Sequence, residues 1–131
     1  MLGRPPEAVV VEDHDDLRTV LTQTLEHAGW NVRSFGSVMD AHLAIREALP
    51  DLVLTDMNVG ELSGRALARE LRLDPSTAPV VLVAMSGSVT PSPALLAMFD
   101  LFLPKPIDVE TLDDSLRDLL ATHRAGAATT R

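Results

Sequence analysis

The chain has 131 residues, 46% of them apolar and 23% charged, which is material for one packed core and too little for a second domain. Nineteen Asp and Glu against eleven Lys and Arg leave a formal charge of -8, which repels a phosphate backbone, so nucleic acid is not expected as a direct partner. The absence of Cys excludes disulfide scaffolds, thiolate metal sites and cysteine nucleophiles. The opening MLGRPPEAVV holds no apolar stretch of signal-peptide length, and no run approaches membrane-spanning length, so a cytoplasmic chain with no membrane partner is expected.

In chain order, Ala8 to Val11 is a short Val-rich run that suits a strand buried on both faces. The acidic string Glu12, Asp13, His14, Asp15, Asp16 closes it, and Asp15 or Asp16 can cap a helix in which Leu17, Val20, Leu21, Thr24, Leu25 and Ala28 recur at helical steps. Gly29 stands where that helix stops, and Trp30 at the turn beyond it is read as packing. The unit then repeats: strand 31–35 and helix 38–49, strand 52–55 and helix 63–73, with Pro50 and Asp74-Pro75 as punctuation. Val80 to Ala84 forms a fourth strand. Pro91 and Pro93 leave about two helical turns before a short fifth strand at Leu101 to Leu103. Val109 to Ala121 is an amphipathic helix with Asp108 as its cap. The expected organisation is an arm at 1–7, a domain at 8–122 and a flexible tail or linker stub at 123–131.

Strands alternating with helices, the strands nearly continuous in apolar residues, predict an α/β fold: a doubly wound, five-stranded parallel sheet of flavodoxin-like order 2-1-3-4-5 with five helices, the fourth short. Ligands of such sheets sit beyond the carboxyl ends of the strands. Glu12 and Asp13 end the first strand, Asp56 the third, Ser86 lies near the end of the fourth, and the fifth runs into Lys105-Pro106. Clustered carboxylates repel one another and so favour a bound cation, and a hard ion such as Mg2+ takes oxygen ligands. With Mg2+ and Lys105 the formal charges of the acids are balanced. Phosphoryl transfer asks for little beyond positioning and charge neutralisation, so a carboxylate here can attack phosphorus and form an acyl phosphate.

As a set, these residues resemble the receiver domain of two-component response regulators, over roughly Ala8 to Ala121. VVVED is similar to the family's acidic pair, which implies Glu12 and Asp13 as Mg2+ ligands. LVLTDMNVGELSG is similar to its phosphoacceptor strand and loop, which implies Asp56 as the phosphorylated residue and a metal ligand, with the backbone carbonyl of Asn58 as another. Lys105-Pro106 is similar to the Lys-Pro pair whose lysine contacts the phosphoryl group and whose proline bond is usually cis, and Phe102 falls where the family carries its aromatic rotamer switch. The resemblance implies phosphorelay signalling in which a sensor histidine kinase or histidine phosphotransfer protein supplies the phosphoryl group. It further implies a homodimer or output partner on the face of helix four, strand five and helix five, and no enzymatic activity apart from the chain's own phosphoryl transfer and autodephosphorylation.

Three departures stand beside the matches. Gly60 takes the place of the family's usual Pro after the acceptor. The switch hydroxyl falls on Ser86 by its Ser-Gly dipeptide, whereas counting from Pro79 lands on Ala84, which has none. Ser86 is favoured for that reason, and Ala84 as the true equivalent would cripple switching. Pro104 precedes the lysine and removes a strand donor. Asn58 and Ser88 flank the approach of a hydrolytic water. His14, His27, His42 and His123 show no ligand spacing and are read as surface, His14 close enough to the acids to modulate them. The alternative reading is a receiver-like interaction module that does not switch by phosphorylation. A nucleotide-binding enzyme is disfavoured because neither Gly-x-Gly-x-x-Gly nor Gly-Lys-Ser/Thr occurs, and a phosphohydrolase because Asn58, not an acid, stands two residues after Asp56.

Overall fold

The Val-rich run that opens the domain is strand β1, Glu7–Val11, second from one edge of the central sheet. The computed structural model describes residues 3–59, 62–87 and 92–129. Along the chain follow α1 (Asp15–His27), β2 (Asn31–Phe35), α2 (Val38–Glu47), β3 (Leu52–Asp56), β4 (Asn58–Val59), β5 (Leu62–Ser63), α3 (Gly64–Leu73), β6 (Val81–Ser86), α4 (Pro93–Met98), β7 (Leu101–Pro104) and α5 (Val109–Thr129). The main sheet runs β2-β1-β3-β6-β7 with every neighbouring pair parallel, which is the expected order 2-1-3-4-5 among its five strands. The short antiparallel pair β4-β5 is additional; two strands of two residues each carry no periodicity to read.

The sheet is buried because its strands alternate between two cores. Val9, Val11, Val53, Leu82 and Ala84 pack with Ala41 and Ile45 of α2 and Leu67 and Leu71 of α3. Ala8, Val10, Leu52, Leu54, Val83 and Met85 pack with Leu21 and Leu25 of α1 and Leu112 and Leu116 of α5. Period-two alternation with both faces apolar gives the continuous runs seen in the sequence.

Helix ends differ from expectation for local reasons. The cap of α1 is His14, whose Nδ1 accepts from Leu17 N at 3.3 Å, so Asp15 and Asp16 fall inside the first turn, where their charge suits the helix dipole. Ser63 caps α3 through Ala66 N rather than belonging to it, and α2 ends at Glu47, two residues before Leu49. Gly29 follows the end of α1 at φ +99°, the left-handed region open to glycine. Asp108 accepts from Glu110 N at 3.0 Å at the start of α5. That helix continues through Thr129, into the stretch expected as a frayed tail. The strand expected to end at Ala84 runs to Ser86, and the fifth sheet strand includes Pro104, which costs no ladder bond there because β7 is an edge strand.

Two side chains tie distant elements together. Arg72, near the end of α3, donates to the carbonyls of Ala78 and Val80 at 2.6 Å each and of Met98 at 2.9 Å, and pairs with Asp100 at 3.0 Å. Trp30 Nε1 donates to Asp113 Oδ1 at 2.7 Å, and Arg117 Nε donates to the same oxygen at 2.6 Å. Burial acts to raise the pKa of Asp113, but these two hydrogen bonds and the Arg117 charge outweigh it and hold the group below the ordinary value. A lowered folded pKa contributes stability above the unfolded pKa and loses it as pH falls through the folded one. Asp113→Ala is therefore expected to cost about 1 kcal/mol at pH 7, with the gap to the native chain closing below about pH 3.8; urea unfolding across pH 2 to 7 checks it.

Candidate phosphoacceptor and metal site

Glu12, Asp13, Asp56 and Lys105 converge at the carboxyl edge of the sheet. Glu12 N extends the β1-β2 ladder by donating to Phe35 O at 3.0 Å, which carries the side chain to a place where it is 1% exposed. Its Oε2 accepts from His14 N at 3.1 Å. Asp56 is the last residue of β3 and 6% exposed, while Asp13 is exposed. One oxygen of each acid lies within 4.8 Å of one of each other acid. Oxygen donors alone, three carboxylates in this space, fit a hard divalent cation.

Lys105 is held from the backbone, its N donating to Ser86 O at 2.9 Å, and the Lys105-Pro106 bond is cis. Its Nζ stands 3.0 Å from Asp56 Oδ1 and 3.3 Å from Glu12 Oε1. Burial acts to lower its pKa, but the hydrogen bond to Asp56, the charges of Asp56 and Glu12 and the hydrogen bond to Glu12 prevail, so it lies above the ordinary lysine value. Lys105 is thus an ammonium locked between two nearly buried carboxylates.

The register places the remaining expected residues. Thr55 lies level with Ala84 and Asp56 with Met85, so Ser86 is one step beyond Asp56, partly buried and across from Pro104. Ala84 is fully buried and is the cross-strand partner of Phe102. Phe102 packs against the α2-α3 core and meets Phe99 edge-on at 5.4 Å between ring centroids. Asn58, exposed in β4, pairs with Ser63. His14 is exposed as expected, and its place is also structural: it caps α1 and touches Glu12 through its backbone. Gly60, Ser88 and Pro91 lie outside the described residues.

Gly64 was not singled out in the sequence. It opens α3 with its N donating to Met57 O at 2.9 Å, and a Cβ there would collide with the carbonyl oxygen of Asp56 and stand 3.1 Å from Thr55 Oγ1. The start of α3 is therefore pressed directly on the backbone that carries Asp56. A glycine immediately after a capping serine was the one available signal, and alone it says nothing of what lies across the gap.

Fold and edge together define a doubly wound α/β domain whose carboxylate-lysine cluster sits where such sheets bind ligands. The chain belongs to the response regulator receiver domain family, whose model matches residues 8–117, and so to the signal-transduction proteins of two-component systems. The probable transcriptional regulatory protein TcrX of Mycobacterium tuberculosis is 31% identical over 97% of this chain and 54% of its own length. The transcriptional regulatory protein ZraR of Salmonella typhimurium is 34% identical over 92% of this chain, which is 28% of that protein. The chain thus spans about half or less of the length of these relatives. Among solved structures, a response regulator receiver domain from Methylobacillus flagellatus superposes with a TM-score of 0.80 at 30% identity, over 88% of this chain and 98% of that one. The chemotaxis response regulator CheY4 of Vibrio cholerae, at 20% identity and a TM-score of 0.82 over 88% of this chain and 98% of its own, shares the fold. Among the described residues no helix is long and apolar enough to cross a membrane.

Proposed function

We propose that this chain accepts a phosphoryl group on Asp56 from a phosphohistidine of a sensor kinase or phosphotransfer protein, within a receiver unit of residues 8–122. The observation that carries the reading is the ion pair of Lys105 with the nearly buried Asp56, beside two further acids at the same sheet edge. Glu12, Asp13, Asp56 and the backbone carbonyl of Asn58 would hold Mg2+, which when bound neutralises charge on the phosphoryl oxygens. An Asp56 carboxylate oxygen attacks phosphorus as the P–N bond to the donor imidazole breaks; the nitrogen keeps the bonding pair and takes a proton from solvent. Lys105 leaves part of its pairing with Asp56 for a phosphoryl oxygen, and the Ser86 hydroxyl meets another. Those contacts exist only in the phosphorylated state, which is the differential interaction a population shift requires. Water later hydrolyses the acyl phosphate, with Asn58 beside its approach. The readout is assigned to α4, β7 and α5, where Leu96 and Val109 are exposed, as a homodimer or a docked output partner.

With Mg2+ and a small acyl phosphate donor, the native chain is expected to gain the mass of one phosphoryl group and Asp56→Asn none, read by intact mass. No gain on the native chain would refute the reading. One observation favours the alternative of an interaction module that does not switch: the residue facing Phe102 across the strands is Ala84, with no hydroxyl to couple the aromatic to a phosphoryl group. That alternative confines amide shifts on phosphorylation to the immediate neighbours of Asp56; shifts at Phe102 and through α4 would dismiss it.

A further inference from the structure

Far from Asp56, at the amino ends of the strands, Gly3, Arg4, Pro6, Asp51 and residues of α5 enclose a cavity of about 410 Å³. Three of the α5 and arm residues lining it are Arg4, Arg117 and Arg124; Asp51 is the carboxylate in the lining, and Glu7 and Asp113 pair with the same arginines from beside it. On a chain of formal charge -8, such a concentration of guanidinium groups runs against the overall field. We propose that this cavity binds a small polyvalent oxyanion, a phosphate or a polycarboxylate.

The three arginines play unequal parts. Arg117 is immobilised: Nε donates to Asp113 at 2.6 Å, one terminal nitrogen donates to Ala28 O at 2.7 Å, and the guanidinium lies 5.5 Å from the centre of the Trp30 ring. It is a preorganised positive charge in the wall, partly balanced by Asp113. Arg4 and Arg124 are mostly exposed and reach the site from the arm and from α5. Arg4 NH1 shares Glu7 at 3.3 Å and Asp51 at 3.5 Å, and Arg124 NH2 meets Asp51 at 3.2 Å. Each therefore meets its carboxylates, two for Arg4 and one for Arg124, through one nitrogen and keeps the rest of its fork for a further acceptor.

Exposed pairs of this kind are worth little, so exchanging them for a multiply charged ligand costs little. Asp51 keeps one anchor without the arginines: its Oδ2 accepts from Glu7 N at 2.8 Å, while Oδ1 gives up Arg124 when that side chain turns to an anion. A ligand with several oxyanion oxygens can bridge guanidiniums from the arm and from α5, which a monovalent ion cannot. Pro6 and Leu120 supply an apolar wall beside them.

Inorganic phosphate and citrate are titrated separately into the full chain carrying Asp56→Asn, without Mg2+ and with chloride holding ionic strength constant, and backbone amides are followed by NMR. Saturable shifts at Asp51, Ala121 and Arg124, with affinity at least about fivefold weaker in Arg124→Gln and in Arg4→Gln, are expected. Saturation by one anion alone assigns the occupant. Shifts that grow linearly without saturating, or an affinity in either glutamine variant equal to that of the Asp56→Asn parent, would overturn the proposal. Because Asp56 is already replaced, neither result bears on phosphoryl transfer.

Discussion

In metal-free buffer at pH 7, Lys105→Ala is expected to unfold more easily than the native chain by about 3 kcal/mol, and Asp56→Asn to be more stable than it by about 1 kcal/mol. The opposite signs follow from one arrangement. Three carboxylates share the sheet edge with a single close ammonium, and Glu12 and Asp56 are nearly withdrawn from water. Removing Lys105 strips both of their cation, and a buried charge left unpaired is among the costlier defects a fold can carry. Removing the charge of Asp56 relieves like-charge repulsion while Lys105 keeps Glu12 at 3.3 Å. Mg2+ should narrow the gap between native chain and Asp56→Asn, since the native acids gain more from it. Urea unfolding with EDTA and with Mg2+ tests all three statements. An Asp56→Asn chain less stable than native without metal would show that the cluster is not under electrostatic strain.

Gly64→Ala is expected to cost about 3 kcal/mol and to slow phosphoryl uptake at Asp56 by at least about tenfold. The obstacle is backbone: the added methyl would occupy the place of the Asp56 carbonyl oxygen, and Thr55 Oγ1 closes the side. A flexible side chain can swing aside, but here either the start of α3 or the end of β3 must shift. Moving the former loses the Gly64 N to Met57 O bond and the seating of Leu67 and Leu71 in the core. Moving the latter carries the Asp56 carboxylate away from Lys105, and small displacements of reacting groups are expensive in rate. Gly87→Ala is the control, because a Cβ at that position meets nothing within 4 Å among the described residues and should change stability by less than about 0.5 kcal/mol. Equal stabilities for the two variants would remove Gly64 from any role at the site.

The fold was legible because both faces of the sheet are buried. Runs such as Ala8 to Val11 and Leu52 to Leu54 have no polar side to hide, and between them helical spacing marks α1, α2, α3 and α5. Residues at strand ends are adjacent in space once the order of the strands is known, so Glu12, Asp13, Asp56 and Lys105 could be grouped from sequence and are found together. Element boundaries were less legible. Capping depends on which side chain rotates onto a free N–H, and in the run His14, Asp15, Asp16 each has a suitable acceptor; the structure selects His14 because its backbone also meets Glu12.

What the amino-acid sequence determined by itself is the order of elements and the chemical class of the edge, since periodicity and residue type are local properties. Tertiary structure alone decided the rest. It set Ala84 rather than Ser86 opposite Phe102, because cross-strand register depends on where each strand begins. It brought Gly64 against the carbonyl of Asp56, and it gathered Arg4, Asp51, Arg117 and Arg124 around one cavity. Those approaches join residues whose distance in space is set by the packing of whole helices on the sheet, and no pattern along the chain records it.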